Sequence, residues 1–224
     1  MKKLIIFDAY GTLISTGTGS LDSTKKILAL QDKDIDPVSF YAEWKKLHKE
    51  QILNCIKTSI FLTEWEIFSL DLKIMYERYN INRPYKEDVK LMLESQFNRR
   101  LFDDVKEVID ELKKKYRVVI GSTADTYPLI KNLEDNNLIV DEVYTSEMMK
   151  KYKPDLDFYR YILEKEKCAP ENSIFIGDTL LDDIKGPKTL GMTTILIDRK
   201  ENIVINDVKP DYIINNFDEL LTIL

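Results

Sequence analysis

Three apolar runs each end in a group that can do chemistry. "LIIF" leads into Asp8, "VVIG" into Ser122 and Thr123, and "IFIG" into Asp178. Asp182 and Asp183 follow in "GDTLLDDIKG", and Lys153 stands before Pro154 in "KYKPDLDFY". Carboxylates brought together repel, so they need a proton, a lysine or a cation between them. Asp8, Asp178 and Asp183 are hard oxygen donors of the kind Mg²⁺ takes. A fixed carboxylate such as Asp8 can also act as a nucleophile and carry a covalent intermediate. Ser122 and Lys153 could stabilise charge on the oxygens of a transferring group. Gly11 and Gly177 would let backbone approach closely. Together these residues describe metal-assisted phosphoryl transfer through an aspartyl intermediate.

Such groups are far apart in sequence, so a scaffold must gather them. Residues 3–7, 117–121, 173–176, 193–197 and 211–214 read as strands, being short, β-branched and mostly non-alternating. Between them, "FDDVKEVIDELKKKY" puts Val105, Ile109 and Leu112 on one helix face, with Asp103 and Asp104 first and Lys113, Lys114 and Lys115 last, as the helix dipole favours. "DLDFYRYILEKEK" puts Phe158, Ile162 and Leu163 at helical spacing, with Pro154 as a candidate first-turn residue. This alternation predicts an α/β fold with a parallel sheet covered on both faces. Ligands of such sheets sit outside the carboxyl ends of the strands, where Asp8, Ser122 and Asp178 fall. Residues 20–98 contain no convincing strand and three amphipathic helical stretches, so they read as a helical insert over the site.

The whole-chain properties exclude other classes. With 224 residues, 44% hydrophobic and 32% charged, the chain reads as folded rather than disordered. A formal charge of -6 with no basic block argues against nucleic acid. Cys55 and Cys168 suggest neither a disulfide framework nor a metal spacing, and a single histidine, His48, excludes a histidine-based zinc cluster. No run approaches the ~20 apolar residues of a membrane span, and the run after Lys2 and Lys3 is too short for a signal peptide. The expectation is a cytoplasmic protein, monomeric or homodimeric, acting on a small molecule without nucleic-acid or membrane partners.

The motifs together resemble the haloacid dehalogenase superfamily of hydrolases. "FDAYGTL" is similar to its first motif, "VVIGSTAD" to the second, "KYKPDLDFY" to the third and "IFIGDTLLDDIKGPKTLGM" to the fourth, in that order. The resemblance implies a doubly wound, Rossmann-like core at 1–16 and 99–224 with an all-helical cap at 17–98. It implies Asp8 as nucleophile, Ser122 on a substrate oxygen, and Lys153 neutralising nucleophile and substrate. Mg²⁺ would be held by Asp8, Asp178 and the main-chain carbonyl of Tyr10, with Asp183 supporting directly or through water.

Within that family the residues conflict. Phosphatases usually carry an acid/base aspartate where this chain has Tyr10, and aspartate–x–tyrosine is the pattern of the 2-haloacid dehalogenases. Yet the fourth motif keeps a full acidic set, which the metal-independent dehalogenases lack. Thr123 stands where dehalogenases usually have asparagine, and Lys45, after Trp44, where they have an arginine. Lys45 and Thr123 are candidate substrate contacts. The residues therefore favour a Mg²⁺-dependent phosphatase, with 2-haloacid dehalogenase and a weakly active or binding protein as alternatives. His48 reads as a helix-surface residue, Phe40, Tyr41 and Trp44 as cap core, and 13–21 and 98–103 as hinges, the first made flexible by "STGTGSL".

Overall fold

Side chains of β1 (Leu4–Phe7) are buried on both faces. Ile5 and Phe7 join one hydrophobic cluster and Leu4 and Ile6 another, as strand alternation requires. The computed structural model describes residues 3–205 and 207–224. In it β1 lies inside a parallel sheet with β2 (Arg117–Ser122), β3 (Glu142–Thr145), β4 (Ser173–Gly177), β5 (Thr193–Ile197) and β6 (Tyr212–Ile214), in the order β3-β2-β1-β4-β5-β6. The chain leaves β1 in both directions across the sheet, so the switch point lies between β1 and β4.

Helices cover both faces. α5 (Val105–Lys115) buries Val105, Val108, Ile109 and Leu112, a spacing of three and four residues, against the face that carries Ile5 and Phe7. α8 (Leu156–Lys165) buries Phe158, Tyr159, Ile162 and Leu163 against the other. α6 (Thr126–Asp135) lies on the α5 face, and α7 (Ser146–Met149), α9 (Gly186–Thr189) and α10 (Leu220–Ile223) are single turns. Pro154 is outside α8: Asp155 is the N-cap and accepts the Asp157 N–H at 3.0 Å. β3 carries no strand signal in the sequence, because four edge residues beginning with an exposed glutamate give no apolar run.

The helical insert consists of α1 (Gly19–Ala29), α2 (Pro37–Thr58), α3 (Glu64–Arg78) and α4 (Tyr85–Glu94). These helices share a core of Ile27, Leu28, Phe40, Trp44, Leu72, Met75, Val89 and Met92. α2 starts on Asp36, which accepts the Ser39 N–H at 2.9 Å, with Pro37 in its first turn. α3 starts with a capping box between Thr63 and Glu66.

The first expected hinge, 13–21, is not a flexible tract throughout. Gly19 to Leu21 belong to α1, and Leu13 and Ile14 are fully buried. The two crossings pair with each other: Ser15 N–H donates to Arg100 O at 2.8 Å and Phe102 N–H to Leu13 O at 3.0 Å. A paired, buried ribbon is stiffer than glycine and serine content suggests, because its backbone groups are satisfied and its apolar side chains packed.

Candidate active site

Register places the chemistry. Phe7 pairs with Ile176 and with Ile120, so Asp8, Asp178 and Ser122 emerge from three neighbouring strands at one edge of the sheet. Asp8 N–H donates to Ile176 O at 2.8 Å, which holds the Asp8 backbone against β4. Lys153 comes from the segment before α8 and Asp183 from a wide π turn, Leu180–Lys185, after β4. Such turns widen the backbone and are frequent at functional sites.

Lys153 and Asp183 are almost wholly buried. The Lys153 ammonium donates to Asp8 Oδ1 at 2.6 Å and to Asp183 Oδ1 at 2.8 Å. Asp183 Oδ2 accepts the Thr179 N–H at 2.9 Å, and Thr12 Oγ1 donates to Asp178 Oδ1 at 3.2 Å. Asp8 Oδ2 and Asp178 Oδ2 accept nothing from another of the described residues. Burial works against the Lys153 ammonium, but Asp183 and Asp8 outweigh it and hold its pKa above the usual lysine value. Burial, with Asp8 adding to it, raises the Asp178 carboxyl to about 6. Burial also raises Asp183, against the pull of Lys153. One lysine does not neutralise three carboxylates, and the surplus negative charge faces Asp178.

A cation fits that surplus. Asp8, Asp178 and Asp183 each offer an oxygen, all within 4.8 Å of one another, which is the hard-donor cluster Mg²⁺ prefers. Lys153 closes the Asp8–Asp183 side of the cluster and leaves the Asp178 side to the metal. Two glycines make the approach possible. A Cβ on Gly11 would lie 2.4 Å from Asp178 Oδ2, and one on Gly177 2.3 Å from Asp183 Cγ. Gly11 also has φ +96°, a conformation L side chains rarely adopt.

Above this cluster lies a cavity of about 480 Å³ between cap and core. Tyr10, Thr123, Lys153 and Asp182 line it from the core, and Trp44, Lys45, His48 and Lys49 from α2. Ser122 is buried at the end of β2. The Thr123 hydroxyl is buried with no partner among the described residues, as expected of a group that awaits a ligand. The Lys45 ammonium lies 5.3 Å from the Tyr41 ring centroid. Tyr10 accepts a hydrogen bond from Asn132 Nδ2 at 3.1 Å, so its own hydrogen remains available to the cavity. Burial pushes the Tyr10 phenol up to about 12.

His48 is not the surface residue its helix suggests. Its side chain is 15% exposed, and its Nδ1 lies 2.9 Å from Asp71 Oδ2 and its Nε2 3.8 Å from Glu64 Oε1. Burial opposes the imidazolium, but these carboxylates prevail and push its pKa up to about 9. Arg99, Asn132 and Asp125 also belong to this region, and nothing in their local sequence marks them. Asp125 accepts the Glu64 and Trp65 N–H groups at 2.9 and 3.0 Å, so a core carboxylate caps a cap helix. The signal for His48 was in the spacing: Trp44 and Leu47, its neighbours on α2, are buried core residues.

The model of the family described as haloacid dehalogenase-like hydrolase matches residues 5–197. The chain belongs to that family. The hydrolases it is similar to differ in reaction. Glyceraldehyde 3-phosphate phosphatase of Methanocaldococcus jannaschii is 36% identical over 85 residues, 38% of this chain and 37% of that protein. (S)-2-haloacid dehalogenase 4A of Burkholderia cepacia is 21% identical over 224 residues, 98% of this chain and 93% of that protein. The structure of L-2-haloacid dehalogenase from Xanthobacter autotrophicus superposes with a TM-score of 0.81 at 16% identity, covering 100% of this chain and 98% of that one. At that identity the likeness speaks for the fold. No helix among the described residues is long and apolar enough to cross a membrane.

Proposed function

We propose that this haloacid dehalogenase-like hydrolase is a Mg²⁺-dependent phosphatase of a small phosphorylated metabolite, acting through an aspartyl-phosphate at Asp8. The convergence of Asp178 and Asp183 on Asp8 carries this reading. In it, residues 17–98 form the cap, and 1–16 with 99–224 the core.

Asp8 Oδ2, which accepts no hydrogen bond from another of the described residues, attacks phosphorus, and the bond from phosphorus to the leaving oxygen breaks. Lys153 fixes the other Asp8 oxygen and offsets charge on both carboxylate and phosphate. Ser122 and Thr123 donate to phosphoryl oxygens. Mg²⁺, when held by Asp8, Asp178 and the Tyr10 carbonyl with Asp183 behind them, supplies further positive charge at the phosphate. Water then cleaves the aspartyl-phosphate, with the cap excluding bulk solvent. Tyr10 is a weak proton donor at neutral pH, so leaving groups that need a proton should react slowly. Lacking a carboxylic acid there costs roughly 10²–10⁴-fold.

Tyr10 supports a second reading, a 2-haloacid dehalogenase that forms a carbon ester on Asp8, since a halide leaves without a proton. The comparisons lean that way, because the relative matched over 93% of its own length is named as a dehalogenase, although Pyrophosphatase PpaX of Bacillus velezensis is matched over 74% of its length. One pair of assays separates the two. The phosphatase reading expects hydrolysis of an aryl phosphate that stops with chelator and in Asp8→Asn. Halide release from a 2-haloacid with chelator present, and no phosphate release with Mg²⁺, would overturn it.

A further inference from the structure

Arg99 lines the substrate cavity with no described carboxylate in ion-pair contact; Glu64 of the same lining acts on it only from beyond that distance. Its backbone N–H donates to Asn132 Oδ1 at 3.0 Å, and its Nε donates to Ser95 O at 3.0 Å. The guanidinium stacks 4.8 Å over the Tyr10 ring centroid and lines the cavity. Its Nη1 and Nη2 have no hydrogen-bond partner among the described residues, and none of the described carboxylates lies within ion-pair distance of it. Asn132 ties this residue to the nucleophile loop, because the same amide donates to the Tyr10 hydroxyl. Burial pulls the Arg99 pKa down, the mark of a charge partly stripped of water. A desolvated charge left unpaired is strongly unfavourable, and a planar guanidinium with two free N–H edges matches an oxyanion. Lys45 on the α2 wall adds a second cation, also without a carboxylate in ion-pair contact among the described residues.

We propose that Arg99, helped by Lys45, binds a second oxyanion of the substrate, a carboxylate or a second phosphate, beside Tyr10 in the cavity. The substrate class is therefore a small phosphate ester whose alcohol portion is itself anionic. This rests on the reading of Asp8, which Lys153 of the cavity wall holds, as the nucleophile. It differs from a purely supporting role for Arg99 under the Tyr10 ring, because a support does not discriminate substrates by charge.

The test measures binding apart from turnover. Asp8→Asn protein with Mg²⁺ is titrated calorimetrically with propyl phosphate, 3-hydroxypropionate O-phosphate and propane-1,3-diol bisphosphate. At least one charged ester should bind about 10–100-fold tighter than propyl phosphate, the range for a charge-assisted pair. The larger gain identifies carboxylate or phosphate as the group held. In Arg99→Gln on that background the advantage should vanish, and Arg99→Lys should retain part of it. If the glutamine variant does not fold, the lysine variant decides, since losing the planar fork should still reduce the advantage several-fold. Equal binding of all three esters, or an advantage unchanged in both variants, overturns the proposal. Tighter binding through Arg99 without turnover by the unsubstituted protein leaves this subsite standing and removes the phosphatase reading.

Discussion

Replacing His48 with glutamine should remove a pH dependence of stability that the unsubstituted protein shows between about pH 6.5 and 9. The imidazole is held at about 9 against an ordinary value of 6.5. A group whose pKa is raised by folding stabilises the fold fully below its unfolded pKa, and the contribution disappears as pH rises through the folded value. At about 1.4 kcal/mol per pH unit the gap corresponds to at most ~3.5 kcal/mol. Asp71 reduces the net gain, because burial raises its own carboxyl and so makes its ionised form costly at neutral pH. The groups facing the ring are Asp71 and Glu64, with Phe68 stacked on it at 4.3 Å. Urea unfolding at pH 6, 7.5 and 9.5 gives the free energies. The unsubstituted protein should lose on the order of 1–3 kcal/mol across that range, while His48→Gln is flatter by that amount. Other groups titrate alike in both proteins, so the difference isolates the pair. Equal slopes in the two proteins would refute the claim that His48 is an imidazolium locked by Asp71.

Gly11→Ala should weaken Mg²⁺ binding by tenfold or more in calorimetry, because the new Cβ falls 2.4 Å from Asp178 Oδ2 and the carboxylate must move. Unchanged affinity would mean that Asp178 is not a ligand. Asp125→Ala should loosen the cap by removing the acceptor of the Glu64 and Trp65 N–H groups. Charge-assisted bonds of this kind are each worth about 1.5–3 kcal/mol, so faster amide exchange at 64 and 65 is expected, and unaltered exchange argues that the cap does not depend on this contact.

Local chemistry decided much of this protein. Apolar runs ending in Asp8, Ser122 and Asp178 already implied a sheet with a polar edge, because only a strand buried on both faces needs unbroken β-branched residues. Five strands, α5, α8 and the strandless insert follow from periodicity for the same reason. β3 escaped because an edge strand carries little apolar signal, and α1 because serine, threonine and glycine hide a face that buries only Ile27 and Leu28 among large apolar residues.

Only the tertiary structure decided what faces the substrate. His48 became a buried ion-pair partner because α3 carries Asp71 and Glu64 to it, and Arg99 became a cavity residue because Asn132 of α6 pins it beside Tyr10. The His48–Asp71 and Asn132–Tyr10 contacts join residues 23 and 122 apart. Single-residue chemistry contains no information about such distances. Charge, period and turn propensity are local properties, whereas an ionisable side chain takes its partners and its exposure from how the cap packs on the core.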